Sequence, residues 1–156
     1  MNKVFIGSDH AGFELKEKLK ASLKGLGYNV EDKGAFEYND GDDYPDFIVP
    51  VAEAVSKNSD VKGIILGGSG QGEAICANRF SGVRAVVFYG GSEEIIKLSR
   101  EHNDANILSL GARFLDEKTA MEAVKIWLET KFSGNERHIR RIKKLEALPR
   151  RQAGNS

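Results

Sequence analysis

The segment from Ile64 to Arg79 constrains the fold of this chain more than any other. It begins with three apolar residues, Ile64, Ile65 and Leu66, and such a run predicts a short strand buried on both faces. Glycines then occupy four of the next six positions, and a helix-forming segment begins at Glu73. Where a strand, a glycine-rich loop and a helix N-terminus meet, free backbone N–H groups and the helix dipole favour a bound anion.

The glycine-rich loop departs from three common motifs. It lacks the Lys-Ser/Thr pair of a P-loop, and it has Glu73 where the dinucleotide fingerprint needs a glycine. A nucleophile elbow centred on Ser69 would need a glycine in place of Gln71. A carboxylate in the first turn of the helix would compete with a bound anion or act on it, so the loop indicates a reaction site. A tight turn without any ligand is the simpler alternative.

The composition argues against several classes of protein. The chain has 156 residues, with Lys+Arg and Asp+Glu balanced at 23 each, so no net charge attracts it to nucleic acid or to a membrane surface. It has one cysteine and three widely spaced histidines, and we therefore expect neither an internal disulfide nor a local metal motif. No apolar run is long enough to span a bilayer and no signal sequence precedes the first strand, so we expect a soluble, cytoplasmic protein.

Predicted strands and helices alternate along the chain. Apolar, β-branched runs predict strands at residues 4–7, 28–30, 61–66, 83–88 and 107–110. Helical spacing and capping residues predict helices at residues 13–26, 45–57, 73–79, 92–100, after residue 116, and at residues 136–148. This alternation predicts an α/β three-layer sandwich with a parallel five-stranded sheet and an extra C-terminal helix. We expect residues 1–131 to form one domain, residues 132–148 to form the separate helix, and residues 149–156 to be a tail.

The sheet topology predicts where a ligand would bind. In open parallel sheets, ligands lie beyond the carboxyl ends of the strands, at the point where the strand order reverses. Five features follow predicted strands in this chain, namely Asp9, His10, the Gly67–Glu73 loop, Tyr89 and Arg113. We therefore expect them along one rim of the sheet.

The predicted C-terminal helix combines a basic face with a narrow apolar stripe. Arg137 and Arg141 are four residues apart and share a face, while the apolar stripe consists of Ile139, Ile142, Leu145 and Leu148. A solvated basic face, a nucleic-acid contact and a phosphate clamp made by two guanidinium groups are all compatible with this pattern. Aromatic residues between the basic ones, which would favour nucleic acid, are absent from the sequence of this helix.

A set of motifs spread over the chain resembles a known family. In chain order the motifs are Ser8-Asp9-His10-Ala11-Gly12, Asp43-Tyr44-Pro45, Gly67-Gly68-Ser69-Gly70-Gln71-Gly72-Glu73, Cys76-Ala77-Asn78-Arg79, Arg100-Glu101-His102-Asn103-Asp104, Gly111-Ala112-Arg113 and Arg137-His138-Ile139-Arg140-Arg141. Together they resemble type B ribose-5-phosphate isomerase, whose wider group includes the galactose-6-phosphate isomerase subunits. The resemblance extends from Lys3 to about Leu148.

This resemblance implies a Rossmann-like fold, a homodimer with shared active sites, or a tetramer, and neither a cofactor nor a metal. It implies the interconversion of an aldose phosphate and a ketose phosphate through an enediolate. In one branch of the family the base is a cysteine at the position of Gly67, which has no side chain. In the other branch the base is a glutamate at the position of Glu73, which is present. The dipole at the helix N-terminus would favour the ionised carboxylate.

The resemblance also assigns roles to individual residues. The expected catalytic residues are Glu73 as the base, His102 for ring opening, and Ser69 in the loop. The expected substrate-binding residues are Asp9, His10, Gly68, Gly70, Gln71, Gly72, Asn103, Arg113, Arg137 and Arg141, the two last as phosphate ligands. Without the resemblance, His102 would be interpreted as a helix C-cap, Asp9 as a strand-end turn and Cys76 as a structural thiol.

Two classes of function remain open at this point. The first is a sugar-phosphate isomerase, acting on a pentose phosphate or, alternatively, on a hexose 6-phosphate such as allose or galactose 6-phosphate. A pentose is favoured because the galactose-6-phosphate enzymes have mixed subunits, whereas this chain supplies every matched group. The second is a non-catalytic anion-binding module on the same fold. Glu73 argues against the module, because a carboxylate at the helix start would weaken a pure anion site.

Overall fold

The computed structural model of the chain describes residues 2–149. In this range the strands are β1 (Lys3–Ser8), β2 (Asn29–Asp32), β3 (Lys62–Gly67), β4 (Ala85–Phe88) and β5 (Ile107–Gly111). The helices are α1 (Phe13–Gly25), α2 (Pro45–Lys57), α3 (Gln71–Ala77), α4 (Glu93–Glu101), α5 (Glu117–Glu129) and α6 (Glu136–Glu146). Apart from Pro149, the predicted tail lies outside the described residues. None of the helices in this range has the length and apolarity needed to cross a membrane.

The strands form one parallel sheet in the order β2-β1-β3-β5-β4. Helices α1, α4 and α5 pack together on one face, and α2 and α3 pack on the other. The predicted three-layer α/β sandwich with five parallel strands is therefore confirmed. Whether residues 1–131 and 132–148 behave as separate units stays a prediction.

The central strand β3 explains why the apolar run of the sequence is continuous rather than alternating. Ile64 and Leu66 pack into the core beneath α1 and α5, whereas Ile65 packs into the core beneath α2. All three side chains are fully buried, as expected for a strand covered by helices on both faces. Trp127 of α5 fills the centre of the first core and is also fully buried.

The strand order reverses between β1 and β3. From β1 the chain moves outward to β2, and from β3 it moves to the opposite side of the sheet. The two loops that follow β1 and β3 therefore separate and leave a crevice at the carboxyl edge, where such folds bind ligands. Gly12 allows the turn after β1 to lie against the end of β3, because a Cβ at that position would lie 2.6 Å from Cβ of Leu66.

Several element boundaries differ from the sequence-based prediction by one or two residues, and two of these differences have a visible structural cause. Helix α3 begins at Gln71, two residues before the predicted start, because Gly70 has φ of 79° and turns the chain directly into the helix. Strand β4 begins at Ala85, after the predicted start. The backbone N–H of Arg84 donates to the side chain of Asn106 at 2.7 Å, so this N–H bonds to a side chain and not to the backbone of a neighbouring strand.

A buried lysine anchors the long connection between β2 and α2. The side chain of Lys16 is fully buried, and its Nζ donates to both carboxylate oxygens of Asp32, at 2.8 and 2.6 Å, and to the carbonyl of Ala35 at 2.7 Å. Lys20 adds a bond to Asp32 at 2.8 Å. All three donors of the Lys16 ammonium thus have acceptors, which is the condition under which a lysine can be buried. This network fixes the start of residues 33–44.

Asp32→Ala is expected to destabilise the protein by about 3–5 kcal/mol, because it leaves the buried Lys16 ammonium without its carboxylate. Urea unfolding measures this change. Glu14→Ala is the control, since Glu14 pairs with Lys18 at 3.6 Å on an exposed helix surface and should cost less than about 0.5 kcal/mol. A loss in Asp32→Ala no larger than that of the control would contradict the anchoring role.

The stabilisation by Asp32 should also depend on pH. Burial alone would raise the pKa of this carboxyl, but the hydrogen bonds from Lys16 and Lys20 outweigh burial and lower it. The stabilisation is therefore complete above the ordinary carboxyl pKa of about 3.9 and is lost as the pH falls through the lower folded-state value. Asp32→Ala should accordingly unfold with a flatter dependence on pH in that acidic range.

Candidate active site

The carboxylate of Glu73 occupies the space that a side chain at position 67 would need. Glu73 is the third residue of α3 and is only 5% exposed. A Cβ built on Gly67 would overlap with Cδ and with both carboxylate oxygens of Glu73. A cysteine at position 67, which is the base in one family branch, would therefore need the same space as the Glu73 carboxylate, which is the base in the other branch. The missing side chain at Gly67 is what seats Glu73 at the end of β3.

The environment of Glu73 makes its carboxylate more basic than usual. Burial raises the pKa of this carboxyl, and the negative charge of nearby Asp9 raises it further, while hydrogen bonds from the backbone N–H groups of Glu73 and Gly70 oppose the rise. The helix N-terminus had suggested the opposite direction, and burial outweighs it. A carboxylate with a raised pKa accepts a proton more readily, which suits a general base working near neutral pH.

The glycine-rich loop is held against the end of β5. Ser109 donates its hydroxyl to the carbonyl of Gly70 at 2.6 Å, and a Cβ on Gly111 would lie 2.7 Å from the carbonyl oxygen of Ser69. The half-buried Ser69 hydroxyl accepts from the N–H of Gln71 at 3.3 Å and keeps its own proton for another acceptor. Gln71 itself is exposed.

Arg113 and Tyr44 flank the same loop. The N–H of Arg113 donates to the carbonyl of Gly68 at 3.1 Å, and its guanidinium lies 3.1 Å from where a Cβ on Gly68 would be. On the other side, the hydroxyl of Tyr44 lies 2.8 Å from the corresponding position on Gly72. A cation and a phenol thus border the loop next to Glu73. Tyr44 belongs to a motif of the family but was not among the predicted site residues.

Asp9 and His10 extend the site at the end of β1. Asp9 is buried, and its Oδ1 accepts from the N–H of Ala11 at 3.0 Å, so it stabilises the turn as well as facing Glu73. The Nδ1 of His10 lies 2.7 Å from Oδ1 of Asp42. Asp42 could not be identified from the sequence, because it lies in a polar loop 32 residues away from its partner.

The side chains of Asp9, His10 and Asp42 offer ligand atoms within 4.8 Å of one another, which is the spacing a metal ion would need. One polar atom of each side chain already has a protein partner, however. Nδ1 of His10 bonds to Asp42, and Oδ1 of Asp9 bonds to the turn. We therefore interpret the cluster as a hydrogen-bonded set.

The remaining predicted residues lie elsewhere in the chain. His102 is the C-cap of α4, and together with Asn103, Arg141 and residues of α6 it lines a cavity of about 790 Å³ beside the start of β4. The ring of His102 stacks on that of His138, with centroids 4.3 Å apart. Burial lowers the pKa of His138, and the neighbouring charges of His102, Arg137 and Arg141 lower it further.

The sheet explains why these residues are separated from Glu73. Helix α4 begins after the carboxyl end of β4 and returns the chain to the amino edge, where β5 begins. One set of predicted residues lies at the carboxyl edge and comprises Asp9, His10, Gly68, Ser69, Gly70, Gln71, Gly72, Glu73 and Arg113. The other set lies at the amino edge and comprises His102, Asn103, Arg137 and Arg141. A single chain therefore does not bring all the predicted site residues together.

Cys76 is the alternative base that the chain offers. Its thiol is half-buried and packs against the core beneath α2, and burial raises its pKa. A thiol with a raised pKa stays protonated near neutral pH and is a poor base. The interpretation of Cys76 as a structural residue is consistent with this environment.

Known proteins resemble this chain over most of its length. A family model described as Ribose/Galactose Isomerase matches residues 4–145. Ribose-5-phosphate isomerase B of Mycolicibacterium paratuberculosis is 42% identical over 140 residues, covering 90% of this chain and 87% of the relative. Ribose-5-phosphate isomerase B of Escherichia coli is 38% identical over 152 residues, covering 97% and 99%. The similarity therefore extends over nearly the whole chain.

Solved structures match equally well. Ribose-5-phosphate isomerase B from Mycoplasma genitalium with bound ribulose-5-phosphate superposes with a TM-score of 0.88 and 40% identity, covering 92% of this chain and 93% of that one. The Clostridium thermocellum ribose-5-phosphate isomerase B gives a TM-score of 0.86 and 43% identity, covering 92% and 95%. The layered fold is thus shared from the first strand into the last helix.

Gly67→Ala is expected to destabilise the protein, because the added methyl group would overlap with the buried carboxylate of Glu73. Overpacking of this kind costs about 1–3 kcal/mol, measured as the free energy of unfolding in urea. Gly25→Ala is the control, since no atom lies within 4 Å of a Cβ there and alanine favours the helix. Unchanged stability in Gly67→Ala would mean that Glu73 is not held in place.

Proposed function

The chain belongs to the ribose/galactose isomerase family, and we propose that it interconverts ribose 5-phosphate and ribulose 5-phosphate with Glu73 as the base. The observation that carries this proposal is the seating of the Glu73 carboxylate in the space left by Gly67. The names of the most similar proteins support the choice of substrate, as does the ribulose-5-phosphate bound in the Mycoplasma genitalium relative. The reaction would belong to pentose phosphate metabolism, in the cytoplasm.

The proposed reaction moves one proton between two neighbouring carbons. Glu73 takes the proton from C2 of the open-chain aldose, and the electrons of the broken C–H bond form an enediolate with the charge on the former aldehyde oxygen. The protonated Glu73 then returns the proton to C1. The proton of the C2 hydroxyl passes to the C1 oxygen, so that C2 becomes the ketone and C1 carries the new hydroxyl. The raised pKa brings Glu73 closer to the pH at which the reaction runs. This helps both steps, because the same group first accepts a proton and then releases it.

The loop that carries Glu73 would stabilise the enediolate. The N–H groups in the first turn of a helix have no acceptors within the helix. In α3 the N–H of Gln71 bonds to the Ser69 hydroxyl and that of Glu73 bonds to its own carboxylate, so we expect the N–H of Gly72 to meet the enediolate. The hydroxyl proton of Ser69 is also free to donate. Donors that are fixed before the reaction stabilise developing negative charge strongly, because they need no reorganisation.

Glu73→Gln should lower kcat by about 10²–10⁴, because it keeps the shape of the side chain and removes the base. A coupled assay with ribose 5-phosphate measures the loss, and binding of a substrate-like hydroxamate checks that the site is intact. Cys76→Ser is the matched control and should keep kcat within a few-fold. An active Glu73→Gln protein together with an inactive, folded Cys76→Ser protein would contradict the assignment of the base.

We also propose that the active form is a homodimer in which each site takes groups from both subunits. The two sets of site residues lie at opposite edges of the sheet in one chain, so a partner subunit would supply His102 for ring opening and Arg137 and Arg141 for the phosphate. The exposed apolar residues Ile139 and Leu145 of α6, and Leu148 just after it, support a partner on this helix. Arginines hold phosphate well because two guanidinium groups can each donate paired hydrogen bonds.

Mixing two inactive variants tests whether the sites are shared. Glu73→Gln and His102→Asn homodimers should each be nearly inactive, whereas a heterodimer would contain one site with Glu73 from one subunit and His102 from the other. Random reassembly of equal amounts makes about half the dimers mixed, each with one intact site of two, so about a quarter of the wild-type activity should return. Native mass spectrometry verifies the mixing. No recovery in a mixed population would show that each site lies within one chain.

A hexose 6-phosphate is the alternative substrate, since the family model covers galactose isomerases. Assays of ribose, allose and galactose phosphates on the purified protein compare the three directly. Preference for ribose 5-phosphate by kcat/KM supports the proposal, and preference for either hexose phosphate would replace it.

A further inference from the structure

The loop before α2 contains a buried carboxylate to which the proposed reaction gives no role. The side chain of Asp42 is only 8% exposed. Its Oδ1 accepts two hydrogen bonds from His10, one from the backbone N–H at 3.1 Å and one involving Nδ1 at 2.7 Å. Its Oδ2 is buried and has no hydrogen-bond partner among the described residues. In the described part of the chain, His10 therefore supplies the hydrogen bonds that the Asp42 carboxylate accepts.

The pairing defines the protonation of the His10 ring. A carboxylate only accepts hydrogen bonds, so the proton between Nδ1 and Asp42 belongs to the histidine. Nε2 then carries a second proton if the ring is cationic, and only a lone pair if it is neutral. A neutral ring would leave the buried Asp42 charge without a cationic partner in the described chain, which is costly. The pair therefore favours the imidazolium form, in which Nε2 donates.

The other charged groups around His10 modify this effect without replacing it. The hydrogen bond to Asp42 is the largest influence and raises the pKa of His10, burial opposes it, the charge of Asp9 adds to the rise, and Arg113 opposes it. The ring meets Tyr38 edge-on and borders a hollow of about 630 Å³ that is also lined by Glu14, Glu17, Lys18 and Arg113. In residues 2–149, His10 makes its ring hydrogen bond to Asp42.

We propose that Asp42 is a positioning residue, which orients the ring of His10 and keeps Nε2 protonated so that it donates to an oxygen of the sugar phosphate. This inference rests on the proposed isomerase function, in which His10 contacts the substrate. Asp42 acts through His10 and does not itself touch the substrate. Its carboxylate favours the doubly protonated ring, in which Nε2 is a donor and not an acceptor.

The loop geometry makes Asp42 suitable for this role. The loop is fixed at its start by Lys16, which donates to Asp32 and to the carbonyl of Ala35. At its end, Tyr44 lies against Gly72 of the glycine-rich loop. Asp42 is thus held between two anchored points and reaches the end of β1 from a separate segment of the chain. Moving this loop would therefore change the position of the His10 ring, and removing the charge of Asp42 would change its protonation.

Asp42→Asn isolates the charge, because the amide oxygen can still accept from Nδ1. NMR titration of the histidine Cε1–H signals, assigned with His10→Gln, should show a lowered pKa for His10. The KM for ribose 5-phosphate should rise roughly tenfold at pH 7.5, on the alkaline side of the ordinary histidine pKa of about 6.5, where the variant gives up the second ring proton more readily than the wild type. The rise should be smaller at pH 6, on the acidic side, where protonation of both rings is favoured. Asp40→Asn, on the exposed part of the same loop, should change neither quantity.

A double variant separates this role from a purely structural one. If Asp42 acts through His10, adding Asp42→Asn to His10→Gln should produce no further rise in KM. An unchanged His10 titration in Asp42→Asn, or an equal rise in KM at both pH values, would overturn the proposal. Absence of isomerase activity in the wild-type protein would instead contradict the proposed function, and the titration would still decide whether Asp42 controls His10.

Discussion

The close approach between Gly67 and the carboxylate of Glu73 is the constraint on which the rest of the site depends. A side chain at position 67 would displace the carboxylate of Glu73, which is the proposed base. The same approach buries Glu73, and burial raises its pKa. It requires Gly70 to turn the chain with a positive φ and Ser109 to hold that turn from the neighbouring strand. One absent side chain thus determines the position of the base and contributes to its basicity.

The order of the strands determines how the other groups are distributed. Because β1 and β3 are parallel neighbours, Asp9 and the glycine-rich loop both lie at the carboxyl edge of the sheet, where the loops separate to leave the crevice. Helix α4 returns to the other edge and places His102 there, beside α6. A complete site as proposed would therefore need two copies of the chain. The exposed apolar stripe of α6 is consistent with such an assembly.

Much of this arrangement could be predicted from the sequence. The alternation of apolar runs and helical spacing predicts the layers, and Pro45 marks the start of α2 correctly because its fixed φ suits the first turn of a helix. The contacts of the loop at residues 33–44 could not be predicted. The full burial of Lys16 and the pairing of Asp42 with His10 depend on tertiary contacts between distant segments. Residue type indicates exposure for both side chains, and only the folded structure shows their partners.

A crystal structure with a hydroxamate analogue of the enediolate tests the central claim most directly. The account predicts a carboxylate oxygen of Glu73 within hydrogen-bond distance, about 3 Å, of the analogue atoms that stand for C1 and C2. It also predicts that the anionic oxygen of the analogue lies on the N–H groups at the start of α3. An analogue bound with its reacting atoms nearest the sulfur of Cys76, or bound away from the Gly67–Glu73 loop, would contradict the account.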